Sequence, residues 1–244
     1  MEQGTVAGRT RKAYNMKTQR FQIDTIPAVL YGEPADQGYL FLHGQMGRKE
    51  EAEAFARVVC SKGYEVLSID LPSHGERCNR EEELFPWTAE PDIRAALDWA
   101  GHRWKTVCIR ANSIGAYFAM LAFDAPNRAL LVSPVLDMEG LILTMMGWAG
   151  VTEEQLQERG EIVTSFGQTL SWKYLCWVRE HPVHNWTGPV RILYGSQDHM
   201  ISRRTVDEFV RQHDAGLTVM EGGEHWFHTD EQLAILREWE ESEA

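Results

Sequence analysis

The sequence predicts an α/β fold, a mostly parallel twisted sheet with helices on both faces. Three observations carry that expectation. Short apolar runs bounded by Gly, Pro or polar turns alternate with longer segments whose apolar residues recur at helical spacing. The connections are short, which favours right-handed crossovers between parallel strands. The residues best suited to chemistry follow strand-like runs directly, where open α/β sheets carry their sites.

Size and charge narrow the classes. A chain of 244 residues suits one large domain with an insertion better than two independent domains. Its 36 acids against 24 bases, net charge -12, argue against nucleic acid as a partner, because phosphate binding needs concentrated Lys and Arg. Cys60, Cys78, Cys108 and Cys176 are scattered without C-x-x-C spacing, so neither a disulfide framework nor a zinc site is expected. No run is long and apolar enough for a signal peptide or a membrane span, and the expected location is cytoplasmic.

In chain order, residues 1–18 read as a flexible polar leader. Phe21–Asp24 and Ala28–Tyr31 are short extended runs, and Tyr39–Leu42 is a buried strand ending in His43-Gly44-Gln45. From Lys49 to Ser61, Ala52, Phe55, Ala56, Val59 and Cys60 recur as a helix face, stopped by Gly63. Glu65–Asp70 is the next strand, with the turn Leu71-Pro72-Ser73-His74-Gly75 after it, and a helix runs from about Thr88 to Gly101. Val107–Ile109 is a strand and Ile114–Ala125 a helix. After the strand Leu130–Ser133 the pattern changes. Residues 137–185 predict two or three helical pieces, with no clear strand, as a cap insertion between core segments 19–136 and 186–244. Val190–Tyr194 and Leu217–Met220 are strands, Arg203–His213 is a helix, and a Glu-rich helix closes near Trp239.

The chemistry centres on Ala111-Asn112-Ser113-Ile114-Gly115, a hydroxyl flanked by small residues on a sharp strand-to-helix bend. Such a bend pushes the serine hydroxyl outward beside the free N–H groups that open the helix. A hydrolytic serine also needs a base and an acid to orient that base. Asp198 and His225 follow the last two strands, giving the order Ser113, Asp198, His225. Asp137 and His228 compete for the acid and base roles, and Ser113 also reads as a plain helix N-cap. His181, His184 and His199 lack metal-ligand spacing, no Gly-rich nucleotide loop is present, and no metal or other cofactor is implied.

At this point the chain resembles the α/β-hydrolase superfamily over about residues 20–240. His43-Gly44 looks like the family's oxyanion loop, and Asp70 with Pro72, His74 and Gly75 is similar to its D-x-P-x-H-G turn. The elbow departs from G-x-S-x-G by carrying Ala111 first. The resemblance implies a triad of Ser113, Asp198 and His225, with His225 in the Gly-rich loop the family uses, and an oxyanion hole from the backbone N–H groups of Gln45 and Ile114. His43 and His74 are expected to be structural, and Met145, Met146, Trp148 and Trp172 to line a substrate pocket. The implied activity is hydrolysis of small to medium carboxylic esters through an acyl-enzyme, with a homo-oligomer as one arrangement. Thioester or peptide cleavage, cofactor-free lyase or oxygenase chemistry, and ligand binding without turnover are the alternatives.

Overall fold

The computed structural model describes residues 16–183 and 186–244; His184 and most of the expected leader lie outside the described residues. The elements run β1 (Thr18–Ile23), β2 (Ile26–Tyr31), β3 (Gln37–Leu42), α1 (Ala52–Val59), β4 (Glu65–Ile69), α2 (Pro86–Arg103), β5 (Thr106–Asn112), α3 (Ile114–Ala122) and β6 (Ala129–Val132). Then come α4 (Met138–Ala149), α5 (Glu153–Arg159), β7 (Glu161–Val163), β8 (Thr169–Ser171) and α6 (Trp172–Glu180). The chain finishes with β9 (Val190–Gly195), α7 (Arg203–His213), β10 (Gly216–Met220) and α8 (Asp230–Glu243).

Eight strands form one sheet in the order β1-β2-β4-β3-β5-β6-β9-β10. β1 and β2 pair antiparallel, as do β2 and β4, and every other pairing in that sheet is parallel. The pleat sends alternate residues of β3 to opposite faces. Leu40 and Leu42 join a core with Ala89, Ile93 and Ala96 of α2 and Ala116 and Phe118 of α3. Tyr39 and Phe41 join a second core with Phe55, Ala56 and Val59 of α1 and Trp239 of α8. Strands covered on both faces have no solvent side, which is why they read as unbroken apolar runs.

Four expectations need correction. Met16 is buried and Thr18 opens β1, so the leader expected over 1–18 gives way to structure before its end. The helix read from Lys49 to Ser61 is α only from Ala52 to Val59, with 3-10 turns on either side. α3 stops at Ala122 rather than Ala125. There the backbone is diverted to the segment leading into β9: Asp124 O accepts from Thr187 N–H at 2.9 Å, and Phe123 O accepts from the Trp186 indole. Finally, residues 137–185 do contain strands. β7 and β8 pair antiparallel across a tight turn closed by Thr164 and Gln168. Each has three residues, too few for a period-of-two pattern to register, and Val163 faces solvent. Arg179 of α6 bonds Glu139 of α4 and Glu153 of α5, tying the three helices together.

One buried ion pair joins the middle of the sheet to the last helix. Arg110 of β5, 1% exposed, donates from Nε and Nη2 to Glu240 Oε1 at 2.9 and 2.8 Å. Its Nη1 donates to Asn112 Oδ1 at 2.6 Å, beside the strand's end, and its guanidinium lies over the Phe41 and Phe55 rings. Burial pushes the Glu240 carboxyl up from its ordinary value, against the pull of Arg110. Removing one charge of such a pair leaves the other uncompensated, whereas replacing both need not destabilise. Arg110→Met is therefore expected to lose about 3–5 kcal/mol in urea unfolding, and Arg110→Met with Glu240→Leu to recover most of it.

Candidate active site

Ser113 sits between β5 and α3 with φ 48° and ψ -120°, a backbone conformation that L side chains rarely adopt. Strain of this kind costs on the order of 1–3 kcal/mol and persists only where the surroundings impose it. Here they do. Ser113 N–H donates to Val132 O at 3.0 Å, and Ser113 O accepts from Val135 N–H at 3.0 Å and Ala116 N–H at 3.1 Å. β6, the chain just after it and the first turn of α3 therefore hold the bend.

Two glycines let the loop after β3 cross the bend. A Cβ on Gly115 would lie 2.5 Å from His43 O and 2.8 Å from Leu42 O, and one on Gly44 would lie 3.3 Å from Ser113 Cβ. Ala111, the departure from the Gly pattern, is fully buried in the core below the bend, with its methyl accommodated there. Tight packing at this elbow is demanded at Gly115.

The bend turns the serine hydroxyl onto an imidazole. Ser113 Oγ is 2.8 Å from His225 Nε2, and His225 Nδ1 is 2.7 Å from Asp198 Oδ2. Asp198 Oδ1 accepts from Met200 N–H at 2.8 Å and Ile201 N–H at 3.0 Å, fixing the carboxylate in a turn after β9. With both carboxylate oxygens accepting, the His225 proton belongs on Nδ1, and Nε2 is left to accept from the Ser113 hydroxyl. The strands that carry Asp198 and His225 approach closely: a Cβ on Gly195 would meet Gly223 O at 2.4 Å. Asp137, the competing acid, instead caps α4 by accepting from Gly140 N–H at 2.9 Å. His228, the competing base, is exposed and its Nδ1 lies 3.0 Å from Trp226 O and 3.3 Å from Glu224 Oε2.

The loop His43 to Gly47 is held by groups that the sequence lists only as motif letters. His43 is fully buried; its Nε2 accepts from Leu71 N–H at 3.1 Å, so Nδ1 carries the proton and donates to Gly44 O at 2.8 Å. His74 Nε2 accepts from Met46 N–H at 2.9 Å, and its Nδ1 donates to Pro72 O at 2.8 Å. Below them Asp70 takes Lys49 Nζ at 2.7 Å, Lys49 N–H at 2.8 Å and Glu76 N–H at 3.0 Å. Burial opposes charge on Asp70, but the Lys49 ammonium and these N–H groups outweigh it and hold the carboxyl below its ordinary value. Gly75 is required because a Cβ there would lie 2.1 Å from Asp70 Oδ1. Above this support, Gln45 N–H has no acceptor among the described residues, and Ile114 N–H opens α3, where helix N–H groups lack intrahelical acceptors.

The four residues expected to line a pocket differ in burial. Met146 is buried among the helices, Met145 and Trp172 are half-buried against the same core, and Trp148 is 51% exposed with its ring edge-on to Phe166. Two other apolar side chains flank the catalytic candidates in sequence and project into solvent, Met46 beside Gln45 and Trp226 beside His225. Their only signal in the sequence is adjacency to the motifs. Among the described residues, no group of His, Cys, Asp and Glu side chains is arranged to hold a metal ion, and no helix is long and apolar enough to cross a membrane.

Comparison with known proteins identifies the fold. A family profile described as alpha/beta hydrolase family matches residues 39–238. Est1E from Butyrivibrio proteoclasticus, with ferulic acid bound, superposes at TM-score 0.74 and 20% identity over 92% of this chain and 96% of that one. Alpha/beta hydrolase domain-containing protein 10 from mouse superposes at TM-score 0.69 and 14% identity, over 91% and 95% of the two chains. The thioesterase domain from the curacin biosynthetic pathway does so at 0.57 and 16%, over 92% and 99%. No curated protein matches in sequence.

Burial lowers the His43 pKa from 6.5 to about 4, so between those values the unfolded chain takes up a proton that the folded chain refuses. Stability from this group is whole above pH 6.5 and is lost as pH falls towards 4, by about 3 kcal/mol in all. Urea midpoints measured from pH 7 to pH 4 are expected to fall more steeply for the wild type than for His43→Gln, which starts lower but lacks this proton.

Proposed function

The chain belongs to the alpha/beta hydrolase family, and on that premise we propose that it is a serine hydrolase that cleaves carboxylic esters of small to medium size. The observation that supports this most is the unbroken line from Ser113 Oγ through His225 to Asp198, at 2.8 and 2.7 Å. In this reading Ser113 Oγ attacks the ester carbonyl as its proton passes to His225 Nε2. The N–H groups of Gln45 and Ile114 receive the charge that develops on the carbonyl oxygen, and each such donor is worth roughly 3 kcal/mol of barrier lowering. His225 then protonates the leaving alkoxide, which departs as the alcohol, and the acyl group remains on Ser113. Water attacks the acyl-enzyme, giving its proton to His225, and the tetrahedral intermediate collapses with the proton returned to Ser113 Oγ. Asp198 keeps the imidazole oriented and stabilises its charged form throughout.

An ester rather than an amide is the substrate we favour. Est1E holds ferulic acid, and the curacin domain is a thioesterase, so both fold relatives are consistent with acyl-oxygen or acyl-sulfur cleavage. In this reading residues 137–185 act as a helical cap that includes the β7–β8 hairpin. Nitrophenyl esters of graded acyl length, beside a matched acyl thioester, test the reading. Ser113→Ala is expected to lower kcat by about 10³-fold or more while leaving the urea midpoint near the wild type. Activity retained within tenfold by Ser113→Ala would remove the serine from the chemistry.

A further inference from the structure

Residues of α2, α3 and α6 line an open pocket of about 290 Å³. Its apolar surface comes from Met120 and Leu121 near the end of α3, Trp177 of α6, and Trp186 on the segment that leads into β9. Met120 and Trp186 are buried, and Leu121 and Trp177 pack against the same core. Trp186 is pinned further by its indole N–H, which donates to Phe123 O. These walls are therefore built into the packing of the helices on the sheet.

Three further lining residues are Glu90 of α2, Asp124 just after α3, and His181 just after α6. Glu90 pairs with Arg94 at 2.8 Å. Asp124 is exposed, and among the described residues it bonds only through its backbone oxygen, to Thr187 N–H. His181 Nδ1 donates to Trp177 O at 2.8 Å, and its ring lies flat on the Trp177 indole with centroids 4.2 Å apart. With the proton on Nδ1, Nε2 is left to accept. All three side chains thus offer acceptors, two of them carboxylates, and no Lys or Arg lines the pocket among the described residues.

Aromatic rings and carboxylates both attract positive charge. The neighbouring indole already does so within the chain: Lys173 Nζ stands 4.2 Å from the centroid of Trp87, whose ring is edge-on to Trp177 at 6.3 Å. An alkylammonium brings three N–H donors to a set of acceptors, and its apolar body suits Met120, Leu121 and the two indoles. An anionic ligand would meet like charge instead. The net charge of -12 adds to the attraction for a cation.

We propose that this pocket is a second binding site, for a protonated primary amine with an aryl-sized apolar body. Asp124 supplies the uncompensated charge, and Trp177 and Trp186 pack the body. Met120 stands seven residues after Ser113, about 10 Å along α3 at 1.5 Å per residue, so the pocket is separate from the serine hydroxyl. The amine binds whether or not Ser113 is a nucleophile.

Calorimetric titration of the full chain at neutral pH compares 2-phenylethylamine, which is protonated there, with 2-phenylethanol, which keeps the body and lacks the charge. The amine is expected to bind one to one and about tenfold more tightly than the alcohol, and to weaken as salt is raised. Asp124→Asn is expected to lose about threefold in affinity for the amine and Asp124→Lys about tenfold, while Trp177→Leu loses about fivefold or more. Because the Asp124 side chain bonds to nothing among the described residues, its two variants carry the test even where Trp177→Leu fails to fold. Ser113→Ala is expected to bind the amine as wild type does. Loss of binding in Ser113→Ala would put the amine at the serine and overturn the proposal. No saturable binding of the amine, equal binding of amine and alcohol, or an affinity unchanged in both Asp124 variants would overturn it as well.

Discussion

The strained backbone at Ser113 is the constraint on which the rest of the site depends. At φ 48° the residue points its hydroxyl out of the sheet, and the bend survives because β6 and the chain after it grip both its N–H and its carbonyl. The same bend brings α3 under the loop after β3 so closely that Gly115 has no room for a side chain. One local distortion thus sets the direction of the hydroxyl and the distance from the bend to the Gln45 loop. Strain of this kind persists because the surrounding structure over-determines it.

Around that bend, buried charge and neutral imidazole have separate tasks. His43 and His74 each accept one backbone N–H and donate to one carbonyl, so each ties two stretches of backbone together. Asp70 and Lys49 form a buried pair; Asp70 also takes the backbone N–H groups of Lys49 and Glu76, and Lys49 also donates to the Glu76 carboxylate, which shapes the turn that presents His74. Arg110 does the equivalent in the middle of the sheet, where its contact with Asn112 reaches the residue beside Ser113. Asp198 is the acid that meets a histidine in line with a serine, which distinguishes it from the structural carboxylates.

The sequence made the sheet legible because doubly covered strands are continuous apolar runs and the helices between them are amphipathic. Asp198 and His225 were readable from their places after strands, and the structure puts them in line with Ser113. The competitors Asp137 and His228 stayed open in the sequence because a helix cap and an exposed imidazole use the same residue types as a site. The β7–β8 hairpin was hidden by its shortness, and the early end of α3 by hydrogen bonds to residues 63 positions away in the chain. Arg110 gave no signal, since its partner Glu240 is 130 residues distant.

The most direct measurement is labelling with a fluorophosphonate, followed by mass spectrometry of the intact and digested protein. A serine hydroxyl activated by His225 displaces fluoride and retains the phosphonyl group. The account predicts one adduct per folded chain, on the peptide containing Ser113, absent after unfolding in urea and strongly slowed in His225→Gln. An adduct on another residue, or labelling of Ser113 that proceeds equally without His225, would contradict it.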